Sequence, residues 1–168
     1  MRKIDYIFID SDTQAHSSNS GRHDVSNLRY HYIVNSQGFV IQPTDIQLTT
    51  KLINGPIYDP DKYNKCSIFI RYCGSLRPAA WLIEPEIEHE TRNLKFETRC
   101  RTALKQRQAL ISLLVELRRH FPDAKILGLS EIDSKEPHSR NIIVSDAMNV
   151  LRRKLSDYPW VSNLNPEP

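Results

Sequence analysis

The chain has 168 residues, of which 39% are hydrophobic and 26% charged, with a formal net charge of +3. That length supports one hydrophobic core, and the composition is that of a folded globular protein, not a disordered one. The charge lacks the dense basic stripe of a nucleic-acid binder. The three cysteines (Cys66, Cys73, Cys100) have no paired spacing, which argues against a disulfide framework, and no segment approaches the length of a membrane span.

In chain order, residues 4–9 form a nearly continuous apolar run, Ile4-Asp5-Tyr6-Ile7-Phe8-Ile9, rich in β-formers. Such a run predicts a strand covered on both faces and therefore central in a sheet. Residues 11–27 are polar and read as a loop, with a short helical turn open at 24–27. Tyr30-His31-Tyr32-Ile33-Val34 predicts a second strand, Asn35-Ser36-Gln37-Gly38 a turn, and Phe39-Val40-Ile41 the returning arm of a hairpin. Residues 43–61 carry Pro43, Pro56 and Pro60 and read as irregular, before a strand over 67–73 that ends at Gly74.

Residues 77–98, with Pro78, Pro85 and several Glu, read as a surface excursion. A long helix is predicted over 102–121, where Leu110, Leu113, Leu114, Leu117 and Phe121 recur at helical spacing and Pro122 ends the run. Lys125-Ile126-Leu127-Gly128 predicts a short strand. Ser145 is placed to cap a last helix with Ala147, Met148, Leu151 and Leu155 inward. The expected architecture is a single α/β domain over 1–160, a central mixed β-sheet flanked by α-helices, followed by a tail over 161–168.

Four stretches in this order carry a resemblance: Lys3 through Ile9; the Tyr30-His31-Tyr32-Ile33-Val34 hairpin; Tyr63-Asn64 with Ser67-Ile68 and a strand ending at Gly74; and the long helix followed by Pro122-Asp123-Ala124-Lys125-Ile126-Leu127-Gly128. Together they resemble the type-2 N-acetylmuramoyl-L-alanine amidase family, which includes phage-lysozyme-type amidases and peptidoglycan recognition proteins. The resemblance implies that fold, a bacterial or phage setting, and a groove that takes peptidoglycan of the cell wall. In the active relatives zinc is held by two His and one Cys, with an open position for water whose pKa the metal lowers to about 7.

Carried over residue by residue, the resemblance implies a lost zinc site. Asp10 follows the first strand where the family has a His. Leu129 follows Gly128 where it has the second, and leucine has no lone pair to offer. The run Lys135-Glu136-Pro137 stands where a Lys-x-Cys-Pro run is expected, read either as a deletion of the Cys or with Glu136 in its place. The family's assisting Tyr and Lys match Tyr32 and Lys135. Asp59 replaces a pocket His, and Asn64 belongs to the Tyr-Asn run. Tyr32 and Lys135 are thus the retained catalytic positions, Asp10, Asp59, Asn64, Leu129 and Glu136 the former active-site positions, and no metal ligand set or cofactor is expected. The acidic replacements would repel the carboxylates of peptide stems.

The leading expectation is a catalytically inactive relative that binds peptidoglycan fragments or a related ligand in the old groove. Two alternatives stay open. One is an active amidase with a rebuilt metal site drawn from Asp10, Asp12, His16, His23, Glu136 and His138, although no zinc spacing such as H-E-x-x-H is present. The other is a protein interaction module using the 77–98 excursion or the basic helix residues Lys105, Arg107, Arg118 and Arg119. Neither nucleic acid nor membrane is expected as a partner. The run Tyr6-Ile7-Phe8-Ile9 is too short for a signal-peptide core, so a cytoplasmic location is expected, with delivery to the wall by another route left open.

Overall fold

The computed structural model describes residues 2–11, 28–53, 60–74, 94–132 and 139–156, the side chains of 94–100, 130 and 139–147 excepted. Five strands are described: β1 (Tyr6–Ser11), β2 (Tyr32–Val34), β3 (Val40–Ile41), β4 (Ser67–Tyr72) and β5 (Lys125–Gly128). They form one mixed sheet in the order β3-β2-β4-β1-β5. β1 lies parallel between β4 and β5, with Ile7 opposite Ile68 on one side and Ile126 on the other. The central position expected from its apolar run is therefore what the structure shows. β2 runs parallel to β4, and β3 returns antiparallel to β2.

The helices are α1 (Pro60–Lys65), α2 (Leu94–His120) and α3 (Ser139–Ser156). Three boundaries differ from the sequence-based expectation. The 43–61 stretch ends in α1, which begins on Pro60, a residue whose fixed φ and missing N–H suit a first helical position. α2 starts at Leu94, inside the expected excursion; no Gly or Pro interrupts 94–120, so the helix extends past the point where apolar spacing becomes visible. α3 starts at Ser139, which puts Ser145 inside the helix and not at its cap. The β-branched run Ile142-Ile143-Val144 has modest helix propensity, yet the helix runs through it.

Alternation along the strands divides the core into two layers. One face carries Ile7, Ile9, Ile68, Ile70, Tyr72, Val34 and Ile126 against Leu110, Leu114 and Leu117 of α2 and Met148, Leu151 and Leu155 of α3. The other carries Phe8, Phe69, Ile33, Tyr30 and Ile53, with Tyr6, Tyr63, Leu127 and Leu129 packed around them. On this second face Phe8 stacks on Phe69 at 5.6 Å between centroids, and Tyr63 from α1 meets Tyr6 at 5.1 Å.

Polar side chains fix the joints. The Asn35 side chain accepts the N–H groups of Gln37 and Phe39, both at 2.9 Å, and shapes the β2–β3 turn. Gly38 in that turn has φ +83°, and a Cβ there would lie 2.9 Å from the backbone carbon of Lys105 in α2. The hairpin is therefore keyed against the helix at a point where only hydrogen fits. Gln106, buried in α2, donates to the carbonyls of Asn35 (2.9 Å) and Cys73 (2.6 Å), tying the helix to two strand ends. Gly74 is required by that same amide: an added Cβ would meet Gln106 Cδ and Tyr72 Cε1 at 2.9 Å each.

At the far edge of the sheet, Glu131 accepts the Gly128 N–H (2.7 Å) and the Arg152 guanidinium (2.6 Å), and Arg152 Nε donates to the Ile126 carbonyl (3.0 Å). Ile126 and Gly128 are the β5 residues whose backbone groups turn away from β1, so this ion pair occupies an otherwise open strand edge.

Candidate functional site

In parallel sheets ligands settle outside the carboxyl ends of the strands. Here those ends are Asp10 on β1, Arg71 on β4 and Leu129 just past β5. The register sets Asp10 directly beside Arg71. It pairs Ile9 with Gly128, so Asp10 and Leu129 are the next residues along their two strands. Phe8 and Phe69 on the same strands belong to the second face, and period-2 alternation places Asp10 and Arg71 on that face as well.

The Asp10 carboxylate accepts a hydrogen bond from the Tyr30 hydroxyl. The Arg71 guanidinium carbon lies 5.8 Å from the centre of the Tyr30 ring, within cation–π range. A carboxylate, a phenol and a guanidinium thus converge above the aromatic layer. Tyr30 itself is 8% exposed, its ring sealed into the cluster and its hydroxyl at the polar rim.

Sequence reasoning missed Tyr30 and Arg71. Tyr32, which it favoured, packs with the aliphatic cluster on the helix-covered face. Burial there raises its phenol above the ordinary tyrosine value, with help from Asp45. Tyr30 and Tyr32 have the same parity, yet they face opposite sides because the chain bends at His31 before β2 begins. The alternation rule fails across that bend. Arg71 was legible in principle: it shares parity with Phe69 and is the polar residue near the end of an apolar strand.

His31 explains the bend. Its backbone N–H donates to the Phe69 carbonyl (2.9 Å), while its ring Nδ1 accepts the Phe69 N–H (3.0 Å). One imidazole thus replaces a rung of the β ladder. With Nδ1 an acceptor, Nε2 carries the proton and donates to the Leu48 carbonyl at 2.9 Å. Desolvation, with a smaller push from Arg2, lowers the pKa of this fully buried ring below the usual histidine value; the Leu48 carbonyl and Asp45 act in the opposite direction.

The remaining expected positions fall in different places. Asn64 is buried, and its side-chain amide forms a closed pair with the Ile53 backbone, accepting the N–H at 3.0 Å and donating to the carbonyl at 3.1 Å. That pairing ties Ile53, a residue of the second face, to α1. Leu129 is half-buried and packs with the same aromatic cluster. Asp59, Lys135 and Glu136 lie outside the described residues, as do Asp12, His16, His23, His138 and the 161–168 tail.

The zinc that the resemblance brings with it can be tested against these donors. Asp10 supplies oxygens, one of them engaged by Tyr30; Leu129 supplies hydrocarbon; and among the described residues no group of three or more His, Cys, Asp or Glu comes together. The described donor set does not fit a zinc site. What the arrangement offers is hydrogen bonding and charge: acceptors on Asp10, a phenol, and a guanidinium fork suited to a carboxylate. The repulsion expected from the acidic replacements is offset at this point by Arg71, which sits beside Asp10 in the sheet.

Among the described residues, no helix is long and apolar enough to cross a membrane. No protein-family model matches the chain, and no curated protein matches it. The structure establishes a small α/β fold with a five-stranded mixed sheet and flanking helices.

Proposed function

We propose that the chain is a non-catalytic scaffold resembling the type-2 amidases, which binds a peptidoglycan fragment or a chemically related ligand over the carboxyl ends of β1, β4 and β5. The observation that carries this reading is the pair of positions just beyond the β1–β5 register. One holds Asp10, its carboxylate engaged by Tyr30; the other holds Leu129, packed into the aromatic cluster. Polar groups able to bind a ligand stand at one position, and hydrocarbon stands at the other, where the relatives' metal takes a protein ligand. Arg71 supports a ligand that carries a carboxylate, such as a muramyl peptide stem.

The test combines three measurements on protein purified without a metal-affinity step: zinc by elemental analysis, calorimetric titration with muramyl dipeptide, and chromatography of the peptide afterwards. The reading expects less than stoichiometric zinc, saturable binding weakened at least several-fold by Arg71→Ala, and intact peptide. About one zinc per chain with release of the L-alanyl peptide would overturn it in favour of an amidase with a rebuilt site. No binding at all would leave the protein-interaction reading in its place.

A further inference from the structure

The two edges of the sheet are finished differently. β5 has outer backbone groups taken by Glu131 and Arg152, whereas β3 ends the sheet with no described strand beyond it. The hairpin's hydrogen bonds show which groups β3 leaves open. Asn35 N–H donates to the Phe39 carbonyl at 3.0 Å, so these two residues are a bonded pair and the next pair, Val34 and Val40, is not. Val34 accordingly turns its carbonyl the other way, where it accepts the Cys73 N–H at 2.9 Å. Val40, its counterpart, turns both N–H and carbonyl outward, off the edge of the sheet.

The side chains there are apolar. Among the described residues five large hydrophobics are exposed, and three of them are consecutive at this edge: Phe39 at 64%, Val40 at 44% and Ile41 at 49%. Natural edge strands are commonly guarded by charge. Here no Asp, Glu, Lys, Arg or His occurs from residue 32 to residue 44.

The edge is complementary to itself. A two-fold axis at Val40 lets each copy's Val40 give its N–H to the other's carbonyl, closing both bonds at once. It sets Phe39 of each copy opposite Ile41 of the other, an aromatic against a β-branched residue, with no like charges to oppose the approach. Pro43, without an N–H, limits how far the pairing runs. We propose that β3 pairs antiparallel with β3 of a second copy of this chain, joining the two sheets into one. The apolar patch is on the order of 400 Å² per copy, below the roughly 800 Å² per partner of a standard stable interface. The dimer is therefore weak and reversible.

The test is sedimentation velocity of the full chain from about 5 to 500 µM, with the exchange of the Val40 amide followed by NMR over the same range. The pairing expects a monomer–dimer equilibrium with a dissociation constant on the order of 100 µM, and a Val40 amide that exchanges more slowly as concentration rises. Ile41→Lys should weaken association at least tenfold while leaving the monomer's far-UV spectrum unchanged. Phe39→Lys, at a still more exposed position, serves the same purpose if Ile41→Lys does not fold. A monomer at every concentration would overturn the proposal, whether the Val40 amide exchanges freely or is protected by the chain itself. A dimer that persists in both lysine variants would overturn it too, by moving the contact to another face.

Discussion

The two faces of the sheet are built from the same strands yet follow different rules. The helix-covered face is aliphatic and continuous, with Ile7, Ile9, Ile68, Ile70, Leu110, Leu114, Met148, Leu151 and Leu155 in one cluster. The opposite face is aromatic at its centre and polar at both ends: Asp10, Tyr30 and Arg71 at the carboxyl ends, and Arg2, His31 and Ser67 at the amino end of β4. The first face contributes stability and little chemistry. The second places polar groups beside its aromatic core, and the proposed ligand site rests on them.

That contrast can be broken or sharpened by substitution. The largest effect belongs to the helix-covered face. Leu114→Ala empties a fully buried position and should cost about 2–5 kcal/mol in urea unfolding, with ligand affinity per folded molecule unchanged. Next comes the joint between hairpin and helix. Gly38→Ala forces a Cβ into the left-handed region and against the Lys105 backbone, and should cost about 2 kcal/mol, read as a fall in the urea midpoint.

A third, smaller effect is reserved for the second face and depends on pH. Burial holds the His31 imidazole below the 6.5 of an unfolded chain. Between those two values the unfolded state binds the extra proton. Stability is therefore complete above about pH 6.5, declines as pH falls below it, and levels off once the folded value is passed. In His31→Ala the fold loses the Phe69 and Leu48 bonds, about 1–3 kcal/mol, and the slope of stability against pH below 6.5 should flatten. An unchanged slope would show that another group titrates there.

The smallest effect is the coupling between Tyr30 and Asp10. A double-mutant cycle of Tyr30→Phe and Asp10→Asn should return a coupling of about 1–2 kcal/mol, as expected of one hydrogen bond to a charged acceptor at a partly wet rim. A coupling near zero would separate the two residues and weaken the site built on them.

The sequence made the frame legible because the frame obeys periodicity. The apolar run of β1, the Asn35–Gly38 turn and the leucine spacing at Leu110, Leu114 and Leu117 each point to their element, and the structure places β1 in the middle of the sheet as its composition requires. Periodicity has limits, and the errors mark them. α2 begins at Leu94, before its apolar stripe, and α3 begins at Ser139, six residues ahead of Ser145. At the candidate site Asp10 and Leu129 could be placed because they end regular strands. Tyr30 could not, because a side-chain rung from His31 bends the chain and turns Tyr30 to the face opposite Tyr32, the residue that the family resemblance had singled out. Nor did the sequence indicate that Asn64 would spend its amide on Ile53, since that partner comes from an irregular segment.

The ion pair at the β5 edge has a consequence for how the molecule is made. β1 emerges from the ribosome first, yet its two neighbours are β4, some sixty residues later, and β5, nearly sixty beyond that. β5 in turn has its outer edge covered by Arg152, in the last described helix. A nascent chain that has not yet released Arg152 can hold a completed sheet with its β5 edge bare. Such non-local pairing slows folding and leaves a template for pairing with another chain. Arg152→Ala should cost the native state about 1.5–3 kcal/mol and lower the yield from translation by more than that loss alone explains, a defect of timing added to one of the native state.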